Sequence, residues 1–234
     1  NPYTLAAMMT PHLRICLAAF IIDGAVMIAL IALPFFVFQQ LGGGVAMSGA
    51  MGAAHMAGYA LTCFLMSGVV ARAKNGLHWA LMGFSLFTLF ICILPFFRNP
   101  WICGAIVTAA FCSQALIWPA LHSWVGAEAD PVSRTRHMGW FNLAWSFGFA
   151  VSPLMTGPLV DTDYRLSFLV LFGLGVLGIG LVWSMPHERA HFPAASAEEL
   201  EARADHDRAS EAYLHASWCA TFLANVFVAV TRTV

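Results

Sequence analysis

The 234-residue sequence contains little charge, since only 10% of its residues are Asp, Glu, Lys or Arg. A soluble domain carries about 25%. Because 60% of the residues are hydrophobic and the mean hydropathy is +0.75, a soluble fold could not cover the apolar surface. The formal net charge is -1, so the chain lacks the basic surface that binds nucleic acid. These shortages exclude a soluble domain and a nucleic-acid partner, and they indicate an integral membrane protein in the lipid bilayer.

The sequence also lacks the short motifs that hold metals, nucleotides or cofactors. Its six cysteines lie in apolar runs without C-x-x-C spacing, and we interpret them as small buried hydrophobic residues. No P-loop or dinucleotide fingerprint occurs, which disfavours ATP-driven transport and predicts that the protein uses no cofactor and no metal. We therefore do not expect an enzyme.

Long apolar segments are abundant. Six of them meet the length of about 20 residues that a helix needs to cross about 30 Å of hydrocarbon. They cover residues 14–38, 45–71, 77–97, 100–125, 138–160 and 166–185. A seventh, near 214–230, is short, and the chain opens at Asn1 rather than Met. We therefore predict an all-α, multi-pass bundle at 1–185 and a truncated second bundle at 214–234, within a fragment of a longer protein.

The positive charges predict the orientation of the bundle. If the amino terminus is cytoplasmic, two cations of the short loops face outward, Arg98 and Arg165, and six lie at inner ends. These six are Arg14, Arg72, Lys74, Arg134, Arg136 and Arg189. This bias follows the positive-inside rule and predicts a cell-membrane protein with a cytoplasmic amino terminus.

Residues 186–213 contain nearly all the remaining charge and predict a cytoplasmic, acidic linker. Ser196 and Glu199 form a capping box, and Glu199 and Arg203 form a favourable i,i+4 pair, so a short solvated helix is expected from residue 197. We favour a water-facing connector between two membrane bundles. A regulatory docking helix is the alternative.

Polar residues at membrane depth are rare. Asp23 stands alone in the apolar run of the first segment, and a carboxylate there is a functional candidate because its burial is expensive. His55 is predicted at a similar depth in the second segment, and the two could form a proton-coupled pair because His titrates near neutral pH. Gln114, in the fourth segment, could contact a polar solute or join two helices. His122 and His137 lie at inner boundaries and receive no functional role.

The fifth segment carries a pattern of small residues. Residues 148–157 read Gly148-Phe-Ala-Val-Ser152-Pro153-Leu-Met-Thr156-Gly157, which resembles the G-x-x-x-G-P-x-x-G-G pattern of the major facilitator superfamily. Ser and Thr replace two glycines, and they are still small enough for close helix contact.

Two basic loops extend this resemblance. Residues 134–142 resemble the family's inner loop before that helix through Arg134, Arg136, Gly139, Phe141 and Asn142. Residues 68–76 are a weak version of G-x-L-x-D-R-x-G-R-R through Gly68, Arg72, Lys74 and Gly76. The Asp of that signature is absent, which implies that the outward-open state is held by other contacts.

The fourth segment departs from the family further. Residues 111–115 read Phe111-Cys-Ser-Gln114-Ala115 where some proton-coupled members have R-x-x-Q-G. Phe111 therefore replaces an intramembrane arginine. An antiport mechanism that depends on this arginine is not expected here.

The resemblance covers essentially the whole chain and implies a secondary active transporter that works by alternating access. It implies a six-helix half with a 3+3 inverted repeat, a monomeric protein, a small-molecule solute and the proton as candidate coupling ion. With one acid and no arginine clamp, a neutral or cationic polar solute is preferred. The alternatives are a seven-helix membrane receptor or sensor and an integral membrane enzyme, which would need His, Asp or Ser clustered at one depth.

Overall fold

The computed structural model of the chain describes residues 10–73, 76–127 and 130–186, and all regular structure in these ranges is helical. The predicted linker and the predicted seventh segment lie outside them. The helices are α1 (Pro11–Gln40), α2 (Val45–Arg72), α3 (Gly76–Ile93), α4 (Pro100–Gln114), α5 (Ile117–Gly126) and α6 (Pro131–Trp183), with a 3₁₀ turn at Leu94–Phe96 after α3.

Four segments of the described ranges are long and apolar enough to cross a membrane. They are Pro11–Gln40, Gly76–Phe96, Pro100–Gly126 and Val132–Trp183. Helix α2 is also largely apolar, since Arg72 at its end is the one Asp, Glu, Lys or Arg residue among its 28 residues. The predicted all-helical membrane protein is therefore confirmed at this level.

Two predicted boundaries differ from the structure. The single predicted segment 100–125 is divided into α4 and α5 by a turn at residues 115–116. The predicted loop at residues 161–165 is instead part of α6, whose helical backbone is interrupted only at Asp163, with φ -160° and ψ 119°. One extended residue is enough to change the direction of a helix, so α6 consists of a first arm before Asp163 and a second arm after it.

Helix α1 forms the centre of the bundle. It begins where the Thr10 hydroxyl accepts the Leu13 amide and Pro11 occupies the first turn, a position that suits proline because no amide is needed there. After Gln40 the chain turns at Gly42, whose φ of 61° favours glycine. Residues on all faces of the middle of α1 are buried, so α1 is enclosed by the other helices.

Small residues allow the helices to approach one another. A Cβ added to Gly148 of α6 would overlap the Phe20 carbonyl oxygen of α1. A Cβ on Gly58 of α2 would lie 2.8 Å from the Thr108 side chain of α4, and one on Gly83 of α3 would lie 2.6 Å from the Ser113 carbonyl oxygen. Without side chains at these glycines, backbone and side-chain atoms pack directly, as is typical of membrane helices.

Helix α6 begins at a charged cap. Asp130 accepts the Ser133 amide at 2.8 Å, and hydrogen bonds from the Ser133 hydroxyl and amide hold the pKa of Asp130 below its usual range. A carboxylate whose pKa is lowered by folding stabilises the folded form above its unfolded pKa. This contribution is lost as the pH falls through the folded pKa.

We therefore expect the first turn of α6 to loosen in acid. Hydrogen exchange of the Ser133 amide, corrected for its intrinsic pH dependence, should speed up several-fold as Asp130 becomes protonated, because the cap loses its negative charge. Asp130→Asn is the control, since Asn caps a helix without titrating. An acid response that persists in Asp130→Asn would contradict the assignment to this cap.

Candidate functional site

Asp23 occupies the middle of α1, twelve residues after Pro11, which corresponds to about 18 Å along the helix. Its side chain is only 8% exposed, and its Oδ2 atom is buried without a hydrogen-bond partner in the described residues. A buried carboxylate oxygen without a partner is unfavourable when charged. The charge state of Asp23 therefore depends on whether a proton, water or a cation reaches its carboxylate.

Helix α2 brings a hydroxyl towards this acid. The Tyr59 side chain hydrogen-bonds the Cys63 thiol one turn further along α2, and the charge of Asp23 has a weaker electrostatic effect on it. A phenol can donate to a carboxylate or accept from a carboxylic acid. Tyr59 is therefore a polar side chain of α2 whose electrostatic environment includes Asp23.

His55 belongs to a different contact. Its Nδ1 lies 2.9 Å from the Met51 carbonyl oxygen, and its buried Nε2 has no hydrogen-bond partner in the described ranges. Its ring stacks on Phe111 of α4, with centroids 4.2 Å apart and planes inclined by 28°. No hydrogen bond joins Asp23 to His55 in the part of the chain that the structure describes. Phe111, which the family resemblance sets against an arginine of some proton-coupled members, is thus the stacking partner of His55.

Gln114 is the last residue of α4 and is buried. The chain turns immediately after it, at residues 115–116, before α5 begins. Gln114 lies near the middle of the apolar segment Pro100–Gly126, and the turn that follows it keeps right-handed helical backbone angles at Ala115 and Leu116.

The small-residue motif of α6 packs beside Asp23. The Ser152 hydroxyl lies 3.2 Å from the Gly24 carbonyl oxygen and 2.6 Å from that of Gly148, and Thr156 bonds the Ser152 carbonyl at 2.7 Å. Gly24 directly follows Asp23 in the chain. The motif therefore fixes the segment of α1 that carries the acid.

The other predicted packing and gating residues lie at several levels of the bundle. Arg134 and Arg136 lie in the first turns of α6, and Asn142 accepts the Trp145 indole at 3.1 Å. A Cβ on Gly157 would meet no atom within 4 Å, and Pro153 is exposed. Gly68 and Arg72 lie in the last turns of α2. Lys74 lies outside the described residues.

A cavity of about 520 Å³ opens between the first turns of α1 and the beginning of α6. It is lined mainly by apolar side chains, together with Cys16, His12 and His137. The rings of His12 and His137 stack with centroids 3.6 Å apart, and Trp124 packs edge-on against His12. The structure thus gives His137 a specific neighbour that the sequence did not predict.

Tyr59 and the stacking of His55 on Phe111 were missed in the sequence. A signal for Tyr59 was present, because it follows His55 by four residues and Cys63 follows it by four, which places all three on one face of α2. The stack had no such signal, since it joins two helices. Within the described residues, no group of three His, Cys, Asp or Glu side chains is placed to hold a metal ion.

The sequence was compared with known families. The family described as the Major Facilitator Superfamily matches residues 15–232. The chain belongs to the major facilitator superfamily. It is therefore an integral membrane protein of a family of transporters that move small solutes, some of them coupled to protons, and the predicted resemblance is confirmed.

One curated relative gives a more specific likeness. This chain is 26% identical over 122 residues to the proton-coupled antiporter flippase LtaA of Staphylococcus haemolyticus (strain JCSC1435). The match covers 51% of this chain and 31% of the relative, so the chain spans about a third of the length of the protein it resembles.

Proposed function

We propose that this superfamily member is a proton-coupled secondary transporter and that Asp23 binds the coupling proton. The observation that carries the proposal is the buried, unpartnered Oδ2 of Asp23 in the central helix of the bundle. A carboxylate at this depth is stable when it is protonated or when water or a cation reaches it. Alternation between these conditions during a transport cycle would couple proton movement to a conformational change.

The relative supports the proton as the coupling ion, since its printed name describes a proton-coupled antiporter. The coupling scheme of this chain differs from one based on an intramembrane arginine, because Phe111 occupies that position and stacks on His55. In our proposal Asp23 is the group that takes up the proton, and Tyr59 follows its charge. His55 and Gln114 line the solute path on the α2 and α4 side.

We further propose that residues 1–185 form the amino-terminal six-helix half of the transporter, with the two arms of α6 as its fifth and sixth spans. The two halves of this bundle would be related as a 3+3 inverted repeat, with the amino terminus in the cytoplasm of a cell-membrane protein. Residues 186–213 would form the cytoplasmic linker, and 214–234 would begin the second bundle. Transport would then proceed by alternating access about a site at mid-membrane.

The solute class follows from the polar groups near this site. The described bundle places one acid, one amide and no arginine at membrane depth, which favours a neutral or cationic polar solute over a phosphorylated one. We propose a sugar, a nucleoside or an amine, carried by a monomer. Because the relative is named a flippase, a lipid is the second candidate solute.

The test is uptake by the full-length protein in liposomes with an imposed pH gradient. Radiolabelled glucose, uridine and tetraethylammonium, together with a fluorescent phosphatidylglycerol for flipping, serve as probes. We expect at least one probe to accumulate and a protonophore to abolish its accumulation. Transport that proceeds equally with and without the pH gradient would refute proton coupling.

A further inference from the structure

A second cavity lies at the opposite end of the bundle and is not part of the proposed transport site. It measures about 550 Å³ and is bounded by the end of α1, the 3₁₀ turn after α3, and the second arm of α6. Its lining includes the guanidinium groups of Arg98 and Arg165, the two cations that the sequence placed against the positive-inside bias. The fold therefore places Arg98 and Arg165 at the same cavity.

Both guanidinium groups lie at the ends of membrane-crossing segments. Arg98 falls between the segments Gly76–Phe96 and Pro100–Gly126, two residues from each. Arg165 follows the backbone break at Asp163 by two residues. Both side chains are exposed, which places two cations at the level where lipid head groups begin.

Hydrogen bonds hold the side of the cavity next to Arg165. The Tyr164 hydroxyl donates to the Gln40 side-chain oxygen, and the Gln40 amide donates to the Pro95 carbonyl at 2.7 Å. The Nε of Arg165 lies 3.4 Å from the same Tyr164 hydroxyl. The Asp163 carboxylate accepts the backbone amide of Arg165 and attracts its guanidinium electrostatically, and no hydrogen bond to the Nη atoms is present among the described residues. The Nη groups of Arg165 are therefore left to bind an anion.

The remaining wall of the cavity is apolar and continues along the bundle. Leu169 and Phe172 of α6 line it and are 66% and 51% exposed. With Arg165 and Val176 they follow spacings of four, three and four residues, so all four share one helix face. This face runs for about 16 Å from the cation, roughly half of the hydrocarbon thickness. A cation at the head-group level followed by an apolar track matches an anionic lipid.

We propose that this cavity binds an anionic phospholipid of the bilayer, with the phosphate between Arg98 and Arg165 and an acyl chain along Leu169, Phe172 and Val176. Guanidinium groups form paired hydrogen bonds with phosphate oxygens, and two of them around one anion give selectivity over a zwitterionic lipid. The exposed apolar face of α6 contributes affinity by contact with the acyl chain of the lipid. The site is independent of the transport cycle proposed above.

Native mass spectrometry of the purified full-length protein tests the site. The protein is mixed with equal amounts of dioleoylphosphatidylglycerol and dioleoylphosphatidylcholine. We expect preferential binding of the anionic lipid, with about a tenfold loss of affinity for each arginine replaced in Arg98→Gln and Arg165→Gln. Arg98→Lys and Arg165→Lys should lose less, because they keep the charge but not the paired geometry.

A second variant guards against a folding defect. Leu169→Ala shortens the exposed apolar wall and should also weaken binding of the anionic lipid, whereas Leu154→Ala, at an exposed leucine on the first arm of α6, should not. Equal binding of both lipids, or binding unchanged in the double Gln variant, would overturn the proposal. So would displacement of the lipid by inorganic phosphate alone, or a dimer that disappears on replacing the arginines. Because bound lipid is the readout, a failure to detect transport leaves the result intact.

Discussion

Asp23→Asn should abolish proton-driven accumulation of whichever probe the full-length protein transports. Asparagine has the shape of a protonated aspartate but cannot bind or release a proton at membrane depth. Under an imposed pH gradient the variant should therefore show only the uptake that wild-type protein shows with a protonophore. Counterflow of solute without a gradient should continue, because that exchange requires no net movement of protons.

The control is Asp161→Asn, which makes the same chemical change at an exposed acid near the break in α6. It should keep full gradient-driven uptake. If Asp23→Asn retained the wild-type dependence on pH, Asp23 would have no part in coupling. Loss of counterflow as well would assign Asp23 to solute binding rather than to proton binding, which would also contradict the proposed role.

Tyr59→Phe separates the hydroxyl from the ring within the same site. Removal of the hydroxyl leaves Asp23 as the only titratable group of the pair at mid-depth, so coupling should persist while its pH dependence shifts.

The position of Asp23 was predictable from sequence, because one charge in a long apolar run needs no further context. Its proximity to Tyr59 was not, since that contact depends on how α1 and α2 are rotated about their own axes.

The same distinction applies to the fold. Spans could be predicted because their length and hydropathy are local properties, and the motif at residues 148–157 could be recognised because close packing requires small side chains whatever their neighbours. The turn at residues 115–116 has a local cause in Pro119, which has no amide to donate to the carbonyl of Ala115 four residues earlier. Membrane helices also accommodate proline without a turn, so the presence of Pro119 alone did not predict the boundary. At residues 161–165 the polar composition suggested a loop, yet one extended residue at Asp163 makes the change of direction.

The stacking of His55 on Phe111 shows a further limit of sequence patterns. Comparison with the family motif at residues 111–115 indicates that an arginine is missing, but it gives no indication of what the replacement contacts. In the structure the phenyl ring covers one face of an imidazole on another helix. Phe111 therefore makes an aromatic contact at the position compared with an arginine, and this contact depends on how α2 and α4 pack.

Gly148→Leu should cause a large loss of stability in the described bundle. The Leu side chain would have to enter the contact between α6 and the α1 backbone, where even a Cβ overlaps the Phe20 carbonyl oxygen and lies 3.1 Å from the carbonyl carbon. Backbone atoms of a buried helix cannot move aside as a flexible side chain can. We expect a loss of about 2 kcal/mol or more, measured as a lower unfolding midpoint in detergent.

Gly139→Leu is the matched control, because a Cβ there meets no atom within 4 Å and the residue is on the same helix. Its midpoint should stay close to that of the wild type. The separation of α1 and α6 would also widen between Gly24, which directly follows Asp23, and Ser152, which lies four residues after Gly148. Gly148→Ala should therefore disturb the surroundings of Asp23 even where the protein still folds. An unchanged unfolding midpoint in Gly148→Leu would contradict the close approach of α6 to the α1 backbone.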